Sequence, residues 1–253
     1  MKVIRYLAHE NQPAWGLLEE GSVFALMGSP FEAHGRGAAV GRLDEVTLLA
    51  PVAPSKVLCV GRNYAAHAAE LGNEVPTEPL LFLKPPSSII GPEESIRLTP
   101  LSEKVEHEGE LVLVIGQRCR ALTEENAMQV IFGYTCGNDV TARDLQRKDP
   151  QWTRGKGFDT FCPVGPWIIS ADEFDPTQAQ VRTLVNGEVR QDGNTSLFIF
   201  SLPHLLSYIT AVMTLEPGDI VMTGTPAGVG PLQAGDVVEV EVAGIGTLRN
   251  TVE

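Results

Sequence analysis

The stretch 105-VEHEGELVLVIG-116 begins as a run of charged residues and ends as a run of apolar ones, with a single glycine between them. Read with the two-residue period of a β-strand, Glu106, Glu108, Glu110, Val112 and Val114 share one face, and the odd-numbered residues share the other. Carboxylates therefore continue a face that is otherwise valine. Buried carboxylates need a partner of opposite charge, so the stretch raises the question of what compensates them.

The composition bounds the class of protein. With 253 residues and 27.3 kDa, the chain can bury a sizeable core without disulfides or a structural metal. It carries 19 Lys and Arg against 32 Asp and Glu, a net charge of −13, and it has no long basic block, so nucleic acid is not an expected partner. The four cysteines form no CxxC pair, which predicts reduced, buried thiols.

The N-terminal residues MKVIRYLAHENQ lack the apolar core of a signal peptide. No part of the chain reaches the roughly 18 uninterrupted apolar residues of a membrane span. We therefore expect a soluble, cytoplasmic protein with no membrane partner.

Strand patterns dominate the chain, and they predict a mainly β fold with a few helices (α+β). Residues 1–53 are predicted to form a small β-rich N-terminal domain, and residues 54–253 the main domain, because Pro51 and Pro54 interrupt the chain between them. Short helices are predicted at 65–72, from a cap at Thr123 to about Phe132, and after Ser201. The alternating segments towards the C-terminus predict an antiparallel sheet that rolls on itself.

Glu108 and Glu110 are candidate metal ligands. Residues two apart on a strand lie roughly 7 Å apart with side chains on one face, so the two carboxylates can converge on one ion. Asp139 follows an apolar stretch and a Gly-Asn turn, and it offers a third oxygen ligand for Mg²⁺, Mn²⁺ or Ca²⁺. The alternative is a solvated strand end, which spacing alone favours. Gly109 argues for the metal, because glycine in a strand often marks the close approach of a ligand or backbone.

The sequence resembles the fumarylacetoacetate hydrolase superfamily from Lys56 to the end of the chain. The resemblance rests on seven segments in the family's order: VGRNYAAHAAE at 60–70, FLKPPSSIIGP at 82–92, VEHEGELVLVIG at 105–116, GNDVTARDLQ at 137–146, KGFDTFCPVGPW at 156–167, NTS at 194–196 and GDIVMTGTPAGVG at 218–230. It implies that Glu108, Glu110 and Asp139 hold Mg²⁺ or Mn²⁺, with Glu106 left outside the ligand set. It also implies a mixed β-sandwich roll behind a small N-terminal domain, and a homodimer.

The catalytic candidates are His67, Glu70 and Lys156. His67 and Glu70 are spaced i and i+3 on a short helix, so the carboxylate can orient the imidazole as a general base. From the residues alone, a surface pair and a solvated loop lysine are the simpler interpretations. The resemblance instead implies a His-Glu dyad, and an active-site lysine that steadies a developing enolate.

The candidates for substrate binding are Arg143, Gln146 and Thr225. If the chain becomes helical after Asp139, Arg143 and Gln146 lie on the side of the metal ligand and can hold the oxygens of an oxo acid. The glycine-rich loop 224–230 matches neither dinucleotide nor P-loop spacing, so a nucleotide site is not expected. The resemblance implies that Thr225 contacts a substrate carboxylate.

The resulting hypothesis is a metal-dependent hydrolase or lyase that cleaves C–C bonds in small 2-oxo or 1,3-diketo carboxylates. The reaction would be acylpyruvate hydrolysis or oxaloacetate-type decarboxylation through a metal-bound enolate. One alternative is a 2-hydroxyhepta-2,4-diene-1,7-dioate isomerase/decarboxylase. An alternative of another class is a relative that only binds metal and carboxylates, against which the retention of all the candidate residues argues.

Overall fold

The computed structural model describes all 253 residues, and most of its regular structure is β-sheet, as the sequence predicts. A large sheet of twelve strands forms the centre of the fold. Ten of its strands follow the order β4 (Gly35–Arg42), β3 (Ser22–Met27), β2 (Pro13–Glu19), β1 (Lys2–Leu7), β14 (Cys162–Ser170), β12 (Ile131–Asn138), β11 (Gly109–Ile115), β17 (Ile220–Met222), β6 (Val57–Gly61) and β7 (Leu80–Lys84). The other two are β5 (Leu48–Leu49), which pairs with β1, and β8 (Ile89–Ile90), which pairs with β14.

Two smaller sheets and four helices complete the fold. The five-stranded sheet has the order β16 (Glu188–Asn194), β15 (Gln180–Val185), β19 (Val237–Val242), β20 (Gly246–Val252) and β9 (Ser95–Ile96). The three-stranded sheet has the order β13 (Thr141–Ala142), β10 (Val105–His107) and β18 (Gly230–Pro231). The helices are α1 (Ala65–Glu70), α2 (Arg143–Lys148), α3 (Thr153–Lys156) and α4 (Leu202–Val212).

Strand β11 lies within the large sheet and is buried on both faces. Leu111, Leu113 and Ile115 belong to the core cluster that also contains residues of the five-stranded sheet and of α4. Val112 and Val114 belong to the cluster on the opposite side. The alternation predicted for the opening stretch is confirmed, and the burial of both faces explains why its apolar run is continuous.

The N-terminal strands are part of the large sheet. β1 pairs antiparallel with β14, with Lys2 opposite Ile169 and Val3 opposite Ile168. β2, β3 and β4 then extend the sheet outward. Main-chain pairing therefore joins the first fifty residues to the rest of the fold, and a domain boundary at residue 53 remains a prediction.

Of the helices predicted after residue 120, one is absent from the structure and one is confirmed. The helix predicted from Thr123 is wrong: residues Ala127–Val130 form a single 3₁₀ turn, and Ile131 begins β12. β-Branched and aromatic residues there extend and pair with β11, which overrides the capping signal. The helix after Ser201 is confirmed as α4, and the Ser201 side chain accepts a hydrogen bond from the His204 N–H.

At 11 residues α4 is the longest helix, and no helix has the length and apolarity needed to cross a membrane.

Candidate active site

Three buried acids converge where β10 ends, β11 begins and β12 ends. Glu108 lies between β10 and β11, and Glu110 is the second residue of β11. Asp139 follows β12, and its N–H donates to the Glu108 carbonyl at 2.8 Å. The pairing of Gly109 with Asn138 brings these segments side by side. One carboxylate oxygen from each acid lies within 4.8 Å of the other two, so the three predicted ligands form one cluster.

Two of the three acids have cationic partners. Glu108 accepts hydrogen bonds from Arg143 and from Lys156, the latter at 2.8 Å. Asp139 accepts from Lys84 and Lys156, each at 2.5 Å. Burial alone would raise the pKa of Glu108, but the charges of Lys156 and Arg143 hold it well below its usual range. The Glu108 carboxylate is therefore stabilised in its ionised form.

Glu110 has no cationic partner. Its carboxylate accepts one hydrogen bond, from the Gly224 N–H at 2.7 Å. Burial, followed by repulsion from Asp139 and Glu108, raises its pKa well above the usual value. A divalent cation would supply the missing opposite charge, and an all-oxygen donor set suits Mg²⁺, Mn²⁺ or Ca²⁺. The residues present therefore fit a bound metal ion.

Lys84 and Glu106 also belong to this site. The sequence did not point to Lys84, whereas Glu106 was recognised on the acidic face and left outside the predicted ligand set. Lys84 ends β7, is 1% exposed and donates to the Val140 carbonyl as well as to Asp139. Glu106 is buried and pairs with Arg143 at 2.6 Å and with Lys104 at 2.8 Å. The available signal for Lys84 was its position at the end of the apolar segment LLFLKP, where a charged residue needs a buried partner.

Arg143 and Gln146 lie on α2 and line a small cavity beside the acids. The Arg143 guanidinium donates to Glu106, to Glu108 and to Gln146 Oε1. It is thus held by protein carboxylates, whereas the amide NH₂ group of Gln146 has no partner within the chain. Contact of either side chain with a substrate stays a prediction.

His67 and Glu70 lie on α1, and His67 lines the same cavity. His67 Nδ1 is 3.5 Å from Glu70 Oε2 and has no hydrogen-bond partner. Burial lowers the pKa of His67, so the imidazole is neutral at pH 7 and can accept a proton. Both Glu70 oxygens also accept from the Gly228 N–H, at 3.0 and 3.1 Å. The structure therefore places the two residues side by side, with their catalytic role still a prediction.

Thr225 lines the cavity, but its hydroxyl is engaged with the protein. It donates to the Gly109 carbonyl at 2.9 Å and accepts from Gln191 Nε2 at 2.7 Å. Gln191, which the sequence did not indicate, is fully buried and its Oε1 accepts from the Gly109 N–H at 3.0 Å. The close approach expected at Gly109 is made by the Thr183 side chain of β15, which a Cβ at 109 would meet. A substrate contact of Thr225 stays a prediction.

Comparison with family models accounts for nearly the whole chain. The model described as fumarylacetoacetate (FAA) hydrolase C-terminal matches residues 56–253, and the model described as Rv2993c-like, N-terminal matches residues 1–51. The chain therefore belongs to the fumarylacetoacetate hydrolase family, a family of enzymes.

Individual relatives agree with this assignment. The chain is 53% identical over 211 residues to Protein Rv2993c of Mycobacterium tuberculosis, which covers 83% of this chain and 80% of the relative. It is 44% identical over 220 residues to the mitochondrial oxaloacetate tautomerase FAHD2A of Bos taurus, which covers 83% of this chain and 70% of the relative. It superposes on the 5-carboxymethyl-2-hydroxymuconate delta-isomerase of Mycobacterium smegmatis with a TM-score of 0.92 and 46% identity, covering 100% of this chain and 99% of that one.

Proposed function

We propose that this chain is a divalent-metal-dependent enzyme that converts a 2-oxo acid through its enolate, by C–C bond cleavage. The observation that carries the proposal is Glu110, a buried carboxylate without a cationic partner in a cluster of three acids. Glu108, Glu110 and Asp139 would hold Mg²⁺ or Mn²⁺. The bound ion would supply a Lewis acid that lowers the energy of negative charge developing on the oxo oxygen.

Lys156 and His67 supply the remaining chemistry. The Lys156 ammonium lines the cavity beside Glu108 and Asp139, where a fixed positive charge stabilises an enolate oxygen. Neutral His67 accepts a proton from water, and Glu70 orients the imidazole. The resulting hydroxide then attacks the distal carbonyl of a 1,3-diketo acid, the C–C bond breaks, and its electron pair remains in the enolate. Protonated His67 can return its proton to the enolate carbon. In decarboxylation of a 3-carboxylated oxo acid, CO₂ leaves and the same enolate remains.

Keto–enol isomerisation is a second candidate, favoured by the names of two relatives, an oxaloacetate tautomerase and a muconate isomerase. In this reaction, the only bond to carbon that breaks is a C–H bond. His67 would remove the proton from the carbon next to the oxo group and return it to a different atom of the same intermediate. The residues that stabilise the enolate are shared with the cleavage reactions.

The proposal is tested with a substrate panel of acetylpyruvate, oxaloacetate and a 2-hydroxy-dienedioate, each assayed with Mg²⁺ or Mn²⁺ and with excess EDTA. We expect turnover of at least one substrate, loss of about a hundredfold or more on chelation, and recovery when metal is returned. Turnover that survives complete chelation would contradict the metal mechanism. Metal binding without turnover of any substrate would favour a relative that only binds metal and carboxylates.

His67→Gln is expected to lower kcat for hydrolysis or isomerisation by about 10²–10⁴, the usual contribution of a general base. Decarboxylation of oxaloacetate should fall much less, because CO₂ leaves without removal of a proton. Steady-state kinetics on both substrate types measures the difference, and Mn²⁺ binding should not change.

The matched control for this variant is His204→Gln. His204 is an exposed histidine paired with Glu124, and it does not line the cavity. It should leave all rates unchanged. A His67→Gln protein that hydrolyses or isomerises at the wild-type rate with metal bound would show that His67 is not the base.

A further inference from the structure

A second cavity opens directly from the one beside the acids. The inner cavity has a volume of about 40 Å³, and the outer cavity about 300 Å³. The walls of the two cavities have six residues in common: Arg62, Leu71, Asn73, Arg143, Gln146 and Trp152. We call the larger space the outer chamber. A molecule bound at the acids would extend into it.

The inner cavity is too small for a whole substrate. A single water needs roughly 10–15 Å³ of such volume, so 40 Å³ admits only a few atoms next to Glu108, Glu110 and Asp139. Under the proposed function, those atoms would be the carboxylate and the oxo oxygen of a 2-oxo acid. The rest of the substrate must then lie in the outer chamber, whose lining selects what it accepts.

Two of the three arginines that line the outer chamber have no carboxylate partner. Arg62 and Arg147 form no salt bridge and donate no hydrogen bond within the chain, although the net charge is −13. The one acid in the lining, Asp149, is held by two hydrogen bonds from Arg154 at 2.6 and 2.8 Å. Arg143 is likewise held by Glu106 and Glu108. Two uncommitted guanidinium groups therefore face a space that a ligand can enter.

Arg62 is fixed in place by its surroundings. Its backbone is left-handed, with φ of 59°, a conformation that non-glycine residues rarely adopt. Its guanidinium lies over the Trp152 ring, 5.8 Å from the centroid. Trp152 packs in turn against Phe82. The charge of Arg62 is thus held at the junction of the two cavities, where the tail of a substrate would leave the inner one.

We propose that the outer chamber binds a second carboxylate, so the substrate is a dicarboxylate that carries a 2-oxo acid at one end. Arg62 and Arg147 are the residues that determine this specificity, because a guanidinium pairs with a carboxylate through two parallel hydrogen bonds. This inference rests on the proposed function, in which the 2-oxo acid end of the substrate binds at the metal. It favours oxaloacetate and dienedioates over acylpyruvates that end in a methyl group.

The test uses two unreactive ligands that differ in one group. 2-Oxoglutarate and 2-oxovalerate have the same carbon chain and the same 2-oxo acid head, but the first ends in a carboxylate and the second in a methyl group. Their Kd values are measured by calorimetry on the Mn²⁺-loaded protein. We expect wild type to bind 2-oxoglutarate about tenfold more tightly or better.

Removing the two charges should erase this preference. In Arg62→Gln/Arg147→Gln the two Kd values should agree within about twofold, with binding of 2-oxovalerate unchanged. Arg147→Glu alone should reverse the preference, and as a single exposed substitution it keeps the test valid if the double variant folds poorly. Lys148→Gln is the matched control: it removes the same charge one residue away, on α2 and outside the chamber lining, and should keep the wild-type ratio.

The failures of the two proposals are distinguishable. If neither ligand binds, or if both bind equally well without metal, the proposed function at the acids is wrong and the inference falls with it. A different outcome would contradict only the second proposal. If both ligands bind only with Mn²⁺ but wild type binds them equally well, or if the preference for 2-oxoglutarate persists in the double variant, metal-dependent binding at the acids is supported. The outer chamber then does not recognise a second carboxylate.

Discussion

Glu110→Gln is expected to stabilise the metal-free protein while abolishing its response to metal and its turnover. The Glu110 carboxylate is buried without a cation and lies beside two other carboxylates. Glutamine removes that repulsion and keeps an oxygen to accept the Gly224 N–H. Relief on the order of 1–3 kcal/mol would raise Tm by about 2–4 °C per kcal/mol in a chain of this size. Turnover should fall about a thousandfold or more.

Glu108→Gln is the matched comparison, because it changes the same group two residues away. Glu108 compensates Arg143 and Lys156, both of which are buried. Its loss leaves these charges short of a partner and should cost about 3–5 kcal/mol of stability. Thermal unfolding with EDTA and with Mn²⁺ measures both variants. A metal-free Glu110→Gln protein less stable than wild type, or one with an intact Mn²⁺-induced shift, would show that Glu110 is not the ligand that lacks a partner.

The cluster of three acids could be predicted because short stretches of the sequence indicate its members. The period of a strand places Glu108 and Glu110 on one face. Asp139 was a candidate third acid because it follows an apolar stretch and a Gly-Asn turn, and the resemblance implied the same role. Spacing alone favoured a solvated strand end, and periodicity cannot show burial. Only the pairing of β11 with β12 and the cores on both faces decide it, since they bury the acids rather than expose them.

Contacts between distant segments could not be predicted in the same way. Lys84 meets Asp139 across 55 residues, and Gln191 meets Gly109 across 82. Both contacts depend on strand pairing and loop position, which a single sequence does not encode in any short pattern. The addition of β1 to β14 is of the same kind. For Arg143, the sequence indicated a place near the metal ligands if the chain became helical after Asp139, but it did not indicate the pairing of Arg143 with Glu106 and Glu108.

Lys84→Met and Lys156→Met should separate a structural lysine from a catalytic one. Each lysine donates to one oxygen of Asp139, and both are buried. Either substitution removes a cation from a buried carboxylate, which should cost about 3–5 kcal/mol and lower the Tm of the metal-free protein by about 6–20 °C. Added Mn²⁺ should recover part of that loss in both, because the ion replaces the missing positive charge.

The two variants should differ in kcat at saturating metal and substrate, since only Lys156 lines the cavity. Lys84 reaches no reacting atom, so Lys84→Met should keep kcat within about tenfold of wild type. Lys156→Met should lose about 10²–10³, the usual effect of removing one group that stabilises an oxyanion. Equal losses of kcat in the two variants would mean that Lys84 also acts on the substrate. A fully active Lys156→Met enzyme would mean that the enolate is stabilised without this lysine, and its place beside Glu108 and Asp139 would then be explained by charge compensation alone.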